Sequence, residues 1–321
     1  MTTSNILSQL GSAGVSTGFK NRLINGQFQI AQRGTSGSSS SSGLPTTATY
    51  PSVDRWFAYS SGAAVTIAQV AGSGNIKNLV QATGAGSVTA VGIGQRIESS
   101  NCYDLAGQTV TLSAQIANSL LTTVTWTAYY AATTDTWTAA ATTITSGTFT
   151  VTSTLTQYSA SFAVPSAATT GLQIVFSVGA QTSGTFQIGN AQLEVGTTAT
   201  NFEVRDYGRE LALCQRYYWQ LDTNTHPSSL FNGDFSTGNA AISIFTNPVY
   251  MRTGPTVVMP ANNTFTFNPA SVTATTITGY SAGNQGGRLV WNTSGSPTAG
   301  NAYHIDTTGT ASTYLTFSAE L

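Results

Sequence analysis

The chain has 321 residues, of which 7% are charged and 10% aromatic, and its formal net charge is -1. That length fits about two domains of roughly 150 residues each, and an average soluble domain is about 25% charged, so this surface must be built from Thr, Ser, Asn and Gln. The 11 basic residues are spread along the whole chain, offering phosphates no cationic stripe, which excludes nucleic acid as a partner.

At the start, Ser4 can cap a short helix with Ile6, Leu7 and Leu10 on one face and Gly11 as its stop. A helix this short is marginal alone in water, so it is expected to dock on another protein, with residues 11–18 as a linker. The start lacks a basic region followed by an apolar core, so no signal peptide is expected, and no apolar run approaches the ~18 residues that span a bilayer. Synthesis in a cytosol without membrane insertion follows as an expectation. Next, Asn25-Gly26 between Leu23-Ile24 and Phe28 predicts a two-residue hairpin, whose type I′ turn needs positive φ at both central positions. Ser36 to Gly43 reads as a mobile surface loop. In Tyr50-Pro-Ser-Val-Asp-Arg-Trp-Phe57, Trp56 is expected in a core with Asp54-Arg55 structural beside it. The alternative makes Asp54 a catalytic acid or metal ligand, although no second carboxylate lies nearby in sequence.

Between Glu98 and Glu194 the only charged residues are Asp104 and Asp135. In that stretch 109–116, 124–129, 157–162 and 172–178 alternate small polar with apolar residues, the pattern of half-buried strands. Thr and aromatic side chains suit a pleated, half-exposed surface without charge. Gly/Ser/Ala breaks at short intervals point to a sandwich, and no fixed-period repeat is present. Trp126, Tyr129, Tyr130 and Trp137 are expected mostly in the core, with stacking against a sugar as the alternative. From Asp206 to Tyr218, Leu211, Cys214 and Tyr218 recur at helical spacing, with Asp206 and Glu210 near the start and Arg216 near the end. This helix is read as a connector over 205–219, between a first domain at 21–204 and a second at 220–321.

In the second domain Asn232-Gly233-Asp234, Gly283 to Gly287 and Ser294 to Asn301 are loop signals. Tyr280, Trp291, Tyr303 and His304 lie next to them and form the candidate receptor-contacting set, since loops on a rigid scaffold carry recognition. The alternative has Trp291 and Tyr303 alternating inward to pack the domain. His226 and His304 have no ligand cluster of recognisable spacing, so no metal is expected, and no cofactor motif is present. Cys102 and Cys214 form no disulfide framework and read as small buried apolar residues. No nucleophile elbow, phosphate loop or His-Glu-x-x-His is present. A carboxylate pair drawn from Asp222, Asp234 and Asp306 would be needed for a glycan depolymerase, and the chain is read as a non-enzyme.

Four groups of residues carry a resemblance. They are Asn21 to Gly34 (NRLINGQFQIAQRG) with Val53-Asp-Arg-Trp56, Ala191 to Glu203 (AQLEVGTTATNFE) with Glu210 to Tyr218 (ELALCQRYY), Phe245 to Val257, and the closing Phe317-Ser-Ala-Glu-Leu321. Together they resemble a family of bacteriophage tail-fibre and virion-surface proteins, over the whole chain. The resemblance implies an all-β chain: a jelly-roll sandwich similar in layout to carbohydrate-binding modules, a smaller C-terminal β domain, and a homotrimer. It also implies a virion structural role. Residues 1–20 would attach the chain to other virion proteins of the tail or baseplate, and the C-terminal domain would meet a host-surface glycan. A capsid or head-decoration protein is the alternative placement.

Overall fold

The structure, a computed structural model, describes residues 19–40, 42–44, 46–137, 141–222, 231–237, 240–259, 265–268, 272–295, 298–307 and 314–321. The expected N-terminal helix with Ile6, Leu7 and Leu10 lies outside the described residues, as does His226. Two compact units divide the described chain. The first takes residues 19–29, 36–204 and 321, and the second takes 30–35 and 205–320.

The first unit is an all-antiparallel jelly-roll sandwich. Its strands are β1 (Ser36–Ser38), β2 (Phe57–Ser61), β3 (Thr66–Ala71), β4 (Asn78–Thr83), β5 (Ala90–Ile97), β6 (Thr109–Asn118), β7 (Thr123–Tyr130), β8 (Thr142–Thr150), β9 (Thr156–Ala163), β10 (Leu172–Val178) and β11 (Thr185–Val195). One sheet has the order β1-β3-β4-β11-β6-β9, the other β2-β5-β10-β7-β8. The two-residue period is visible on β6: Val110, Leu112, Ala114 and Ile116 fill the core while Thr111, Ser113 and Gln115 take the opposite face. On β7 the same alternation sends Val124, Trp126 and Ala128 inward. Trp137 is buried as expected, whereas Tyr129 and Tyr130 are only half-buried. The Ser36–Gly43 stretch differs from the expected mobile loop. It begins with edge strand β1, paired in register Gly37↔Ile67 with β3.

The outer faces of the two sheets differ. On the five-stranded sheet Phe57, Tyr59 and Val175 form a buried cluster under Ala48, Tyr50 and Tyr129. Phe57 and Tyr59 pair with Gly94 and Gly92 of β5, and a Cβ at either glycine would press on those rings. Burial pushes the Tyr59 hydroxyl up to about 12, with Tyr129 adding to it. That face is filled by its own chain. The outer face of the six-stranded sheet carries polar side chains, among them Ser113, Gln115 and Gln157.

The second unit holds α1 (Tyr207–Gln215), β12 (Tyr218–Asp222), β13 (Phe231–Thr237), β14 (Ala240–Thr246), β15 (Thr256–Val258), β16 (Phe265–Asn268), β17 (Val272–Gly283), β18 (Gly286–Thr293), β19 (Ala302–Thr307) and β20 (Tyr314–Ser318). Six strands close a barrel, β13-β14-β18-β17-β16-β19, and a three-stranded sheet has the order β12-β20-β15. Closure removes free edges. The helix expected over 205–219 is shorter and belongs to this unit instead of standing between domains. Asp206 caps it by accepting from the backbone N–H groups of Gly208 and Arg209 at 3.0 and 3.2 Å. Glu210 is buried against Arg205 at 3.3 Å. Asn232-Gly233-Asp234 is no loop; it lies inside β13, paired with β14 and β19.

Several of the sequence motifs meet in this second unit. Arg33 pairs with Glu320 at 3.0 Å and lies 3.5 Å from the Tyr218 ring centroid. Gln32 Nε2 donates to the Tyr218 carbonyl at 2.8 Å. Arg252 donates to the carbonyls of Ala319 and Glu320 at 2.7 and 2.9 Å. Trp219 stacks on Phe317 with centroids 3.9 Å apart. The QRG, CQRYY, MRTG and FSAE segments are therefore one packing joint.

Candidate functional site

The six-stranded sheet of the first unit carries a groove of about 420 Å³. It is lined by Ser113, Ala114 and Gln115 of β6, Gln157 of β9, Asn190 of β11, the strap Thr200-Asn201-Phe202 with Val204, and Gln27 and Asn75. Six of these side chains are amides, each able to donate and accept. None of the described lining residues is charged.

The groove's shape comes from a β-bulge. The register of β11 against β6 shifts between Gly189 and Gln192, where Asn190 adopts φ 45°, and such bulges re-aim a side chain. The Asn190 Oδ1 is buried and accepts no hydrogen bond. The Asn21–Gly34 motif holds this bulge in place. Asn21 Nδ2 donates to the Ala191 carbonyl at 2.9 Å, and Asn21 Oδ1 accepts from the N–H groups of Leu23 and Leu193 at 2.9 and 3.0 Å. The Gly26 carbonyl accepts from Ala191 N–H at 2.9 Å.

The strap is fixed by the second motif. Glu194 accepts from Thr200 N–H at 2.8 Å and Oγ1 at 2.7 Å, and Gln192 Oε1 accepts from Glu203 N–H at 2.8 Å. Glu203 in turn accepts from the N–H groups of Lys20 and Asn21, each at 3.0 Å. Polar side chains so fully engaged give a rigid frame.

The Asn25-Gly26 turn is present, but its type differs from the expected hairpin turn. Positive φ falls at Asn25 and Phe28 (57° and 55°) and not at Gly26, and no strand flanks it. Gly26 is needed for closeness: a Cβ there would lie within 3.0 Å of the Ala191 carbonyl oxygen. The Asn25 carbonyl accepts from Phe28 N–H at 2.9 Å and from Trp56 Nε1 at 3.1 Å.

The candidate receptor-contacting set does not form one surface. Trp291 is 0% exposed and Tyr303 4% exposed, both in the barrel core with Phe235, Phe265 and Phe267, and Trp291 Nε1 donates to Ser243 Oγ at 2.8 Å. Inward alternation on β18 and β19 accounts for both. Burial raises the Tyr303 hydroxyl pKa, with Asp234 adding to it. Tyr280 is 45% exposed. His304 is half-buried and, with Asn232, Asn268 and the edge of Tyr303, lines a shallow cleft of about 280 Å³. Asn232 and Asn268 are its register partners on β13 and β16.

Asp54 and Arg55 are fully buried, with Arg55 Nη2 donating to the Arg96 carbonyl at 2.7 Å, so Asp54 faces no open site. The side chains of Asp222 and Asp306 lie outside the described residues. Cys102 and Cys214 are buried and form no disulfide, and burial pushes the Cys102 thiol up to about 12. Among the described residues no group of three or more His, Cys, Asp or Glu is placed to hold a metal ion, and no helix is long and apolar enough to cross a membrane. The groove residues escaped sequence reasoning because isolated Asn and Gln carry no spacing signal; only the amide-rich composition hinted at them.

No protein-family model and no curated protein matches the chain. Solved structures similar in fold include a CBM4 structure, at 15% identity and a TM-score of 0.37, covering 54% of this chain and 98% of that one. The enzymatically active domain of tailspike protein 4 from bacteriophage CBA120 is similar at 16% identity and a TM-score of 0.37, over 55% of this chain and 22% of that one. TmCBM61 in complex with β-1,4-galactotriose is similar at 13% identity and a TM-score of 0.36, over 56% of this chain and all (100%) of that one.

Proposed function

We propose that this chain is a bacteriophage virion structural protein, a tail fibre, that holds a host-surface glycan in the groove of its first unit without cleaving it. The groove itself carries the reading. Amides and hydroxyls in a fixed frame match the donor–acceptor pattern of sugar hydroxyls, and Phe202 and Val204 supply apolar surface for a sugar's C–H face. No carboxylate lines it, so it holds no general acid and base for glycoside cleavage. The virion placement rests on the motif resemblance described above, with residues 1–20 as the attachment segment and a homotrimer as the assembly. Several weak grooves per particle would then act together by avidity.

Glycan recognition moves in this reading from the C-terminal barrel to the first unit, because the barrel's Trp291 and Tyr303 are core. The test is competition: purified chain is expected to block particle adsorption to host cells, and a Phe202→Ala, Gln115→Ala double variant to block at least about tenfold less well. Equal blocking by both proteins would reject the groove. Labelled antibody found on the head instead of the tail would reject the fibre placement.

A further inference from the structure

We infer that the groove selects neutral glycan segments and rejects acidic ones, an inference that rests on the groove being the glycan site. Every described lining side chain is an amide, a hydroxyl or apolar. Lys20, which bonds to two of the lining residues, is already committed. Its Nζ donates to Thr200 Oγ1 and to the Asn201 carbonyl, the latter at 2.6 Å, and lies 3.9 Å from Glu194 Oε2. Two of the ammonium's three donors are used in those hydrogen bonds, and Glu194 holds it by charge.

Recruiting Lys20 to a ligand would strip the cation from Glu194, whose side chain is only 2% exposed, and would loosen the strap that lines the groove. A carboxylate or phosphate on the ligand would thus find no counter-ion among the lining residues, which is costly on desolvation. The six lining amides instead offer a neutral sugar's O–H or acetamido N–H both donors and acceptors. Cationic sugars gain nothing either, because no lining carboxylate receives them.

The full chain, applied to an immobilised panel of neutral oligosaccharides and their uronic-acid and sialylated counterparts, tests this. Retention of neutral members is expected at least about tenfold above matched acidic ones. Gln157 is an exposed lining residue, so Gln157→Lys is expected to fold normally and to narrow that ratio by adding an unpaired cation. Equal or stronger retention of acidic members by the unaltered chain would overturn the inference and leave glycan binding standing. No retention of any member would overturn both. A neutral preference indifferent to Gln157→Lys and to Phe202→Ala would place the site elsewhere and also overturn it.

Discussion

Replacing Gly26 with Ala should unfold the first unit's frame at one point. The added methyl would lie within 3.0 Å of the Ala191 carbonyl oxygen, 3.1 Å from Asn21 Nδ2 and 3.2 Å from Phe202 Cε2. The backbone cannot yield freely there. Gly26 O accepts from Ala191 N–H, and Ala191 O accepts from Asn21 Nδ2, both at 2.9 Å. Overpacking of this kind costs about 1–3 kcal/mol, and each buried hydrogen bond broken leaves groups whose desolvation costs about 1–3 kcal/mol. Partial relaxation brings the sum to about 3–5 kcal/mol, a large share of a typical 5–15 kcal/mol. Calorimetry should show the first unit's melting transition falling by roughly 10 °C, at about 2–4 °C per kcal/mol for a domain this size. Gly86→Ala is the control: nothing lies within 4 Å of its Cβ and its φ is ordinary, so it should be neutral or stabilising by under about 1 kcal/mol. A loss below about 1 kcal/mol in Gly26→Ala, or equal losses in both variants, would refute the close-packing account of the motif.

Alkali should act first on the same unit. The Tyr59 hydroxyl moves from 10.0 to about 12 and the Cys102 thiol from 9.0 to about 12. Both raised values favour the protonated group in the fold, so their contribution is complete below pH 9 and is lost as pH climbs from 9 to 12 for Cys102 and from 10 to 12 for Tyr59; urea midpoints should fall across that window, less steeply in Tyr59→Phe. Trp291→Ala should cost the barrel about 3–5 kcal/mol by urea denaturation, whereas Tyr280→Ala, at a 45% exposed side chain, should stay within about 0.5 kcal/mol. Glu210→Ala leaves Arg205 buried without its carboxylate and should cost about 3–5 kcal/mol in the same assay.

The strands were legible because their two-residue period is imposed by a core on one face, as Val110 to Ile116 show. Turns were less so. Asn25-Gly26 announced a bend, but which residue takes positive φ was decided by the Trp56 indole and the Ala191 backbone, far away in sequence. Gly233 signalled a loop, yet its missing Cβ serves β13, where a side chain would press on the Ile242 carbonyl and lie 2.6 Å from the Tyr303 hydroxyl. The choice between exposure and core at Trp291 stayed open for a related reason: strand alternation near a loop fixes a side chain's direction only once the register is known. The groove left no local trace, since its walls come from positions 27 to 204.

The motifs around Asn21 to Gly34 and Ala191 to Glu203 and the groove chemistry are nevertheless connected. Asn21, Gly26, Gln192 and Glu194 touch the bulge and the strap through backbone groups or fully engaged side chains, so their identities are dictated by the frame. Asn75, Ser113, Gln115 and Gln157 lie outside those blocks and meet the groove with their side-chain ends. Changing one of the second group alters what the groove offers a ligand without breaking a bond that shapes it. Changing one of the first group moves Asn190 or the strap and alters the groove as a whole. Framework and groove lining are thus carried by different residues of the first unit, and a motif can shape a groove while saying nothing of what the groove holds.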